Sequence, residues 1–342
     1  MKKIIIIGAG AMGSAFAVPC VENKNIVTIV GTHLEDNLIN NIIANDYLHP
    51  GLKTKLPKEI KFKQFNELQS VLEKDVDLIV AGISSIGIEW FVKQISKSYK
   101  KNLPIVLLTK GLSIVNNELT TLSDKIKNLL EKDGHTEINI SAIKGPCLAA
   151  GLANKMRTGT VIANRNIREC QSLKDMISTN YYSTEISEDI TGVELSGAIK
   201  NIYSMLIGAS EGLSNSKASK EIQSKYFLNT AASLIHRSIS EMVEFVYHYG
   251  GKEETVYGLA GLGDLYVSAI GGRNSLMGKY LGEGHLYNDA KEKFMKDITV
   301  EGAQLALEIG PRILEDLNSK NFPLMFSMLN TICENKKLEI NW

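Results

Sequence analysis

The residue of this sequence best suited to proton-transfer chemistry is Lys200, a lysine inside an otherwise largely apolar helical segment at residues 193–202. Ser196 and Gly197 precede it by about one helical turn, and such small residues leave room for a ligand beside the amine. Apolar neighbours, and a second cation such as Lys110, would disfavour the charged form and allow proton exchange near neutral pH. The alternative is a structural lysine whose amine reaches solvent along the helix surface.

A glycine-rich segment at residues 258–274 adds an acid, an arginine and an amide. Asp264 supplies a carboxylate able to orient a lysine, and Arg273 offers the planar fork that matches a phosphate. Asn274 stands at the predicted start of a helix, where anions also bind. The glycines indicate a backbone shaped for close approach of a ligand, and a flexible surface loop is the alternative.

Two more groups follow directly after apolar, strand-like runs. Lys110 comes directly after the run at residues 104–109, and Gly145 and Cys147 follow the run at residues 138–143. The carboxyl ends of strands in an open α/β sheet face the ligand crevice, so these positions would meet a substrate or cofactor. The alternatives are a lysine that only closes a strand and an inert thiol at Cys147.

The sequence KKIIIIGAGAMG at residues 2–13 predicts a dinucleotide-binding loop. A β-branched run breaks into glycines at the spacing GxGxxG, and the residues that follow favour a helix. The first glycine permits a tight turn, the second lets a pyrophosphate approach the backbone, and the third lets the helix pack against the strand. Free N–H groups at the helix start would hold the phosphates, and a tight turn without a ligand is the alternative. The residues predicted to bind the cofactor here are Gly8, Gly10, Ala11, Met12 and Gly13.

The choice between NAD and NADP depends on the end of the second predicted strand. An NAD site usually has an acid about twenty positions after the glycine motif, where it binds the ribose 2′-hydroxyl. Here Thr32 and His33 follow the strand, and no acid occurs until Glu35 and Asp36. The missing carboxylate removes a repulsion against a 2′-phosphate, which Thr32 or His33 could bind, although no arginine is present. We therefore expect NAD(P)H as the cofactor, with NADP favoured over NAD.

Composition indicates a protein that binds a small molecule. The 342 residues are 44% hydrophobic and include 38 basic and 38 acidic residues, so no nucleic-acid or membrane partner is expected. The basic, apolar start resembles a secretory signal peptide, but the glycines of the loop would interrupt its helix. The cysteines, at positions 20, 147, 170 and 333, show neither pairing nor metal-ligand spacing. We expect a cytoplasmic protein without a metal.

Alternating strand-like and helix-like segments predict an α/β fold, with an N-terminal Rossmann-type, doubly wound sheet. Strand signals vanish near residue 190, which predicts a dinucleotide-binding domain at 1–190 and an all-helical substrate-binding and catalytic domain at 191–342. A ligand would lie in a cleft between them. The predicted strands are 3–7, 26–30, 60–62, 77–82, 104–109, 138–143, 158–163 and 182–186. The predicted helices include 11–23, 33–44, 86–98, 116–132, 192–212, 217–249, 275–283 and 300–317.

Taken together, these motifs resemble the NAD(P)-dependent glycerol-3-phosphate dehydrogenase family over nearly the whole chain. The resemblance implies a Rossmann domain, a helical domain, a homodimer, and interconversion of dihydroxyacetone phosphate and sn-glycerol 3-phosphate with NAD(P)H. Such an enzyme supplies glycerol 3-phosphate for glycerophospholipid synthesis. The matching motifs are GAGAMG at 8–13, YLHPGLKTKLP at 47–57, TKG at 109–111, GPCLAAGLA at 145–153, VELSGAIKN at 193–201, GLAGLGDL at 258–265, GGRN at 271–274 and VEG at 300–302.

The resemblance assigns roles to single positions. Lys200 is similar to the catalytic acid/base lysine, Lys110 to the lysine that contacts both substrate and nicotinamide, and Asp264 to the supporting acid. Arg273 falls where the family binds the substrate phosphate, and also close to the cofactor. The other implied substrate contacts are Gly145, Cys147, Asn201 and Asn274. The other implied cofactor contacts are Ala149 and Glu301, and His33 is a cofactor contact predicted from its place after the second strand.

The sequence also departs from the family pattern. Met12 stands where an aromatic residue is usual, residues 84–85 are Ser-Ser where bacterial members show Pro-Ser, and Cys147 replaces a polar substrate contact. A related two-domain dehydrogenase acting on another small hydroxy or keto substrate is the main alternative, and it would not need Arg273 as a phosphate clamp. A nucleotide sensor without catalysis is a second alternative, against which the retention of Lys110 and Lys200 argues.

Overall fold

The computed structural model describes residues 1–215 and 220–340, which form two compact units. The sheet unit consists of residues 1–110 and 122–190. The helical unit consists of residues 111–121 and the residues from 191 onwards. Each unit has a hydrophobic core of its own, because the apolar faces of its elements pack on one another.

Consecutive β-branched residues build the centre of the main sheet. Ile4, Ile6 and Ile7 are fully buried, as the apolar run at the start of the chain predicts. The strands of the chain are β1 (Lys3–Ile7), β2 (Ile26–Val30), β3 (Leu48–His49), β4 (Thr54–Lys55), β5 (Lys61–Lys63), β6 (Leu78–Ala81), β7 (Ile105–Leu107), β8 (Leu112–Val115), β9 (Glu118–Thr121), β10 (Ile140–Lys144), β11 (Thr158–Ala163) and β12 (Tyr182–Ser187).

Eight of these strands form one sheet, in the order β12-β11-β10-β7-β6-β1-β2-β5. Neighbouring strands are parallel except β10 and β11, which are antiparallel. Strand β1 pairs with β2 on one side and with β6 on the other, so the strand order reverses there. Ligands of open α/β sheets bind outside the carboxyl end of a strand at such a reversal. The glycine loop therefore begins at the expected place.

Helices connect the strands of the sheet unit and cover its faces. They are α1 (Ala11–Glu22), α2 (Asp36–Ala44), α3 (Leu68–Leu72), α4 (Ile88–Ile95), α5 (Leu122–Lys132), α6 (Ala149–Ala153) and α7 (Ile167–Ile177). The predicted fold class, a Rossmann-type sheet followed by a helical domain, is confirmed.

The helical unit is built on α8 (Ile190–Asn215), which carries Lys200. The helices that follow are α9 (Lys220–His248), α10 (Glu253–Val256), α11 (Asp264–Ala269), α12 (Arg273–Gly282), α13 (Tyr287–Phe294), α14 (Glu301–Asp316) and α15 (Pro323–Cys333). Residues 217–219, the predicted beginning of the second long helix, lie outside the described residues. None of the helices described is both long and apolar enough to cross a membrane.

The backbones of α8 and α12 approach very closely because both helices present glycines at the contact. A Cβ atom on Gly208 of α8 would collide with the carbonyl oxygen of Ser275, and one on Gly278 of α12 would collide with that of Met205. Gly212 and Gly282 make the same kind of contact one turn further along each helix. No larger side chain fits at these four positions without separating the helices.

The predicted helix at 116–132 is wrong at its beginning. Asn116 and Asn117 have positive φ angles of 51° and 64°, and they join β8 to β9 as a two-residue hairpin turn. Asparagine tolerates this left-handed conformation, and a turn of this type matches the twist of a hairpin. The helix begins only at Leu122. Leu112 of β8 belongs to the core of the helical unit, so the hairpin packs with the helices.

Candidate active site

The glycine loop between β1 and α1 has the geometry of a dinucleotide cradle. Gly8 has φ +110°, and a Cβ there would lie 2.5 Å from the carbonyl oxygen of Gly82, so only glycine fits. A Cβ on Gly13 would collide with the carbonyl oxygen of Gly8, which explains the close packing of α1 on the turn. Gly10 is open by comparison, since the nearest atom to its Cβ position is Glu35 Oε1 at 3.7 Å.

The start of α1 fits a bound anion. Its first turn contains no acidic residue and receives no side-chain capping hydrogen bond. The backbone N–H groups around Ala11 and Met12 and the positive end of the helix dipole are thus placed to hold a pyrophosphate. The loop and helix together fit the dinucleotide that the sequence predicts.

Glu35 reaches this loop from the turn after β2. Its Oε2 accepts hydrogen bonds from the backbone N–H groups of Ala9 at 3.0 Å and Thr32 at 2.8 Å. A carboxylate therefore lies beside the glycine loop, although the end of β2 itself has no acid. The predicted preference for NADP took account only of the residues directly after β2, which Glu35 does not adjoin in sequence. The prediction of NAD(P)H as the cofactor class does not depend on that preference.

His33, the predicted contact for a 2′-phosphate, packs in an aromatic cluster. Its ring centroid lies 5.4 Å from that of Trp90 and 6.1 Å from that of Phe65. Phe65 and Trp90 also contact each other at 5.6 Å. His33 is exposed and lies on the same turn as Glu35, whereas Phe65 follows β5 and Trp90 belongs to α4.

A small cavity in the sheet unit brings together Lys110, Gly145 and Cys147 from two separate strand ends. Met12 of the glycine loop lines the same cavity. Gly145 has φ +141°, which lets the chain turn sharply between β10 and α6. Ala149 begins α6 immediately after this turn. The structure thus places these predicted substrate and cofactor contacts beside the glycine loop.

Lys144, which the sequence did not predict, lines the same cavity. Its side chain is buried, and Nζ donates hydrogen bonds to the carbonyl oxygens of Thr109 at 2.8 Å and Leu107 at 3.4 Å. The Thr109 hydroxyl in turn donates to the carbonyl oxygen of Ile83 at 2.8 Å. The residue directly before Lys110 is therefore held by both its side chain and its carbonyl group.

In the helical unit, Lys200 and Asp264 form a buried ion pair. Lys200 Nζ donates to Asp264 Oδ1 at 2.8 Å, and both side chains are 4% exposed. Lys200 also donates to the hydroxyl of Ser268, one turn along α11 from Asp264. The neighbouring carboxylate offsets the cost of burying the ammonium, which apolar surroundings alone would not do. A π-helical turn at residues 259–263 leads into Asp264 and sets the start of α11.

A second polar network holds Arg273. Its Nη2 donates to Glu301 Oε1 at 3.1 Å, and its side chain is 55% exposed. Asn201 donates to the other oxygen of Glu301 at 3.5 Å and accepts a hydrogen bond from Asn274 at 2.9 Å. Asn274 Oδ1 accepts from the backbone N–H of Gly302 at 2.9 Å. The starts of α12 and α14 are thereby tied to α8 next to Lys200.

The predicted site residues thus fall into two local groups, one in each unit. Glu35, Lys144 and Ser268 are the additional polar residues that the structure places in these groups. Only Ser268 had a visible sequence signal, because it follows Asp264 by four residues and so shares its helix face. The other two act through backbone contacts that no motif records.

Comparison with known proteins identifies relatives along the whole chain. Residues 3–170 match the N-terminal family of NAD-dependent glycerol-3-phosphate dehydrogenase, and residues 189–340 match its C-terminal family. The chain is 32% identical to a protein of Archaeoglobus fulgidus named NADP(+)-dependent glycerol-3-phosphate dehydrogenase, over 98% of this chain and 96% of the relative. It is also 32% identical to a Mesoplasma florum protein named glycerol-3-phosphate dehydrogenase [NAD(P)+], over 96% and 93% of the two chains.

A solved structure shares the fold. The crystal structure of glycerol-3-phosphate dehydrogenase from Coxiella burnetii superposes with a TM-score of 0.80 at 26% identity, covering 98% of this chain and 96% of that one. The similarity therefore includes both units.

Proposed function

This chain belongs to the NAD-dependent glycerol-3-phosphate dehydrogenase family, and we propose here how its own residues carry out the reaction of that family. It is an NAD(P)-dependent oxidoreductase that interconverts dihydroxyacetone phosphate and sn-glycerol 3-phosphate. The nicotinamide, when bound, supplies or accepts the hydride. The protein must bind and orient both partners and move one proton.

Lys200 is the proton donor of the proposed mechanism. As an ammonium it protonates the oxygen on substrate C2 during reduction, and as an amine it takes that proton back during oxidation. Asp264 holds the amine by the 2.8 Å hydrogen bond and balances its charge while it is an ammonium. Ser268 fixes the amine from a second direction.

Lys110 and Arg273 are the proposed binding cations. Lys110 adds positive potential at the reacting oxygen and contacts the nicotinamide, and its position is set by the clamp on Thr109. Arg273 binds the substrate phosphate, for which its planar fork is suited. Glu301 holds that guanidinium in place before the substrate arrives. The remaining proposed substrate contacts are Gly145, Cys147, Asn201 and Asn274.

The proposed cofactor site is the glycine loop with its surroundings. The backbone from Gly8 to Gly13 holds the pyrophosphate, and His33, Ala149 and Glu301 contact other parts of the dinucleotide. We further propose that the sheet unit is the dinucleotide-binding domain and that the helical unit, which includes residues 111–121 as well as those from 191 onwards, is the catalytic domain. We also propose a cytoplasmic location and a homodimer. Light scattering of the purified protein tests the dimer, because a monomer mass would contradict it.

The observation that carries this proposal is the buried Lys200–Asp264 pair. An ion pair with both side chains 4% exposed is costly to maintain without a function, since its desolvation offsets its Coulomb gain. The test is the loss of nicotinamide absorbance when dihydroxyacetone phosphate is added with NADH or NADPH. Turnover with at least one cofactor is expected. No turnover with either cofactor would refute the proposed function.

A further inference from the structure

We infer that Glu35 selects the cofactor that lacks a 2′-phosphate. Its carboxylate is placed to accept hydrogen bonds from the ribose hydroxyls of NADH and to repel the 2′-phosphate of NADPH. The inference rests on the proposed function and specifies which nucleotide the same glycine loop takes. It also reverses the preference that the sequence alone suggested.

Two backbone donors fix the position of the carboxylate. Oε2 accepts from Ala9, inside the glycine loop, and from Thr32, in the turn after β2. The carboxylate is therefore tied to both segments that meet at the carboxyl ends of β1 and β2. A glutamate on a mobile surface turn would not be held at two points in this way.

The other oxygen faces the path of the nucleotide. Oε1 lies 3.7 Å from the position that a Cβ on Gly10 would occupy. The second glycine of the motif is the residue at which the dinucleotide comes closest to the backbone, and an acid beside it meets the adenosine ribose in NAD sites. Glu35 reaches that place from five residues beyond the end of β2 at Val30, because the turn folds back onto the loop.

The chemistry of the two cofactors differs at this point. An ionised carboxylate only accepts hydrogen bonds, and a ribose hydroxyl can donate to it. A 2′-phosphate offers acceptors and negative charge, which a fixed carboxylate repels. The turn provides no arginine to compensate, and its one histidine, His33, packs against Phe65 and Trp90.

Isothermal titration calorimetry of NADH and NADPH, without substrate, tests the inference. We expect the wild-type protein to bind NADH at least about 10-fold more tightly than NADPH, the scale of one hydrogen bond to a charged group. Glu35→Gln keeps the size of the side chain and removes its charge, so it should reduce this preference about 10-fold or more. Asp36→Asn is the matched control, because it removes a neighbouring charge that is not directed at the loop, and it should leave the preference unchanged.

Each outcome decides the inference. Tighter binding of NADPH by the wild-type protein would overturn it without any variant. An unchanged preference in Glu35→Gln, or an equal shift in Asp36→Asn, would also overturn it. Binding of NADH without turnover of dihydroxyacetone phosphate would refute the proposed function and leave the role of Glu35 supported. Absence of binding by both nucleotides would refute the two together.

Discussion

At the scale of single residues, Lys200 gives the most direct test of the mechanism. Lys200→Met removes the proton donor and keeps an apolar stem in the same space. General acid catalysis contributes about 10²–10⁴-fold, so kcat should fall by at least that range, whereas NADH affinity should change little. Lys279→Met is a suitable control, because Lys279 pairs with Glu211 on the surface of α12 and should leave kcat unchanged. A wild-type kcat in Lys200→Met would identify another proton donor.

Arg273 tests the identity of the substrate. Arg273→Lys keeps the charge but loses the planar fork, and Arg273→Ala loses both. Removing a charge-assisted partner costs about 2–5 kcal/mol, so KM for dihydroxyacetone phosphate should rise steeply in Arg273→Ala. The KM for unphosphorylated dihydroxyacetone, which has no phosphate for Arg273 to bind, should be affected far less. Arg312→Lys, on α14 and paired with Asp316, serves as the control. Equal losses for the two substrates would show that Arg273 does not bind the phosphate.

The sequence predicts which candidate site residues lie together well where a motif encodes them, and poorly where only a long-range backbone contact does. Lys200 and Asp264 are hydrogen-bonded in the structure, and the sequence predicts that the Asp264 carboxylate orients a lysine. Sequence spacing does not identify Glu35 as an acid beside the glycine loop, because spacing measures only the distance along the chain from the end of β2. In the structure the turn folds back onto the loop. Lys144 has no motif, since its role arises from carbonyl groups about 35 positions away.

At the scale of elements, the contact between α8 and α12 should tolerate no added carbon. Gly208→Ala puts a methyl group against the backbone of α12, and such overpacking costs about 1–3 kcal/mol, more than the gain of about 1 kcal/mol in helix propensity. Urea denaturation should show the loss. Gly151→Ala in α6 is the matched control, because a Cβ on Gly151 would meet nothing closer than 4.0 Å. This substitution should stabilise the protein slightly, since alanine has the higher helix propensity. A neutral Gly208→Ala would contradict the close contact.

The buried carboxyl group at the start of α15 predicts that the stability of the protein depends on pH. Glu241 of α9 accepts hydrogen bonds from the N–H groups of Leu324 and Met325 and from the hydroxyl of Tyr203, and burial raises the pKa of its carboxyl group. The unfolded chain therefore loses this proton first as pH rises. The contribution of Glu241 to the free energy of unfolding is fully present at pH values below the ordinary carboxyl pKa. It falls as pH rises from that ordinary pKa towards the raised pKa of the folded protein.

Glu241→Gln isolates that effect, because glutamine does not titrate. The free energy of unfolding of the variant, relative to wild type, should improve as pH rises above the ordinary carboxyl pKa of about 4.3. Denaturant titrations at several pH values measure the difference. A difference that stays constant over this rise in pH would show that Glu241 has an ordinary pKa in the folded protein.

Elements with strong periodicity could be predicted closely, and the exceptions have physical reasons. Strands β1, β2 and β11 match their predicted bounds, because their β-branched runs are continuous. The sequence predicts helix over part of the hairpin at residues 112–121, because Asn116 and Asn117 fit polar helix positions and nothing in the sequence reveals their left-handed conformation. The prediction also missed α15, although Pro323 at its first position is a recognised helix start.

At the scale of the whole molecule, one segment that lies within the sequence of the sheet unit packs in the helical unit instead. Residues 111–121 belong to the helical unit, and Leu112 is fully buried in its core. A fragment of residues 191–342 alone should therefore be destabilised, by about 2–5 kcal/mol for the loss of one buried leucine. Fusion of residues 111–121 to that fragment through a flexible linker should recover the stability. Thermal unfolding followed by circular dichroism compares the two, and equal melting temperatures would contradict this packing.

The glycine contact between α8 and α12 has a consequence for the length of substrate that the enzyme can accept. Lys200 lies on α8 and Arg273 begins α12, so the packed backbones of the two helices set the spacing between the amine and the guanidinium. Helices in such contact cannot slide to suit a longer molecule. A phosphorylated ketone with one carbon more between its carbonyl and its phosphate would lose contact with either the proposed proton donor or the proposed phosphate clamp. Discrimination between substrates by chain length then depends on the four glycines of the α8–α12 contact, each of which has a hydrogen atom in place of a side chain. In the proposed mechanism none of these glycines contacts the substrate.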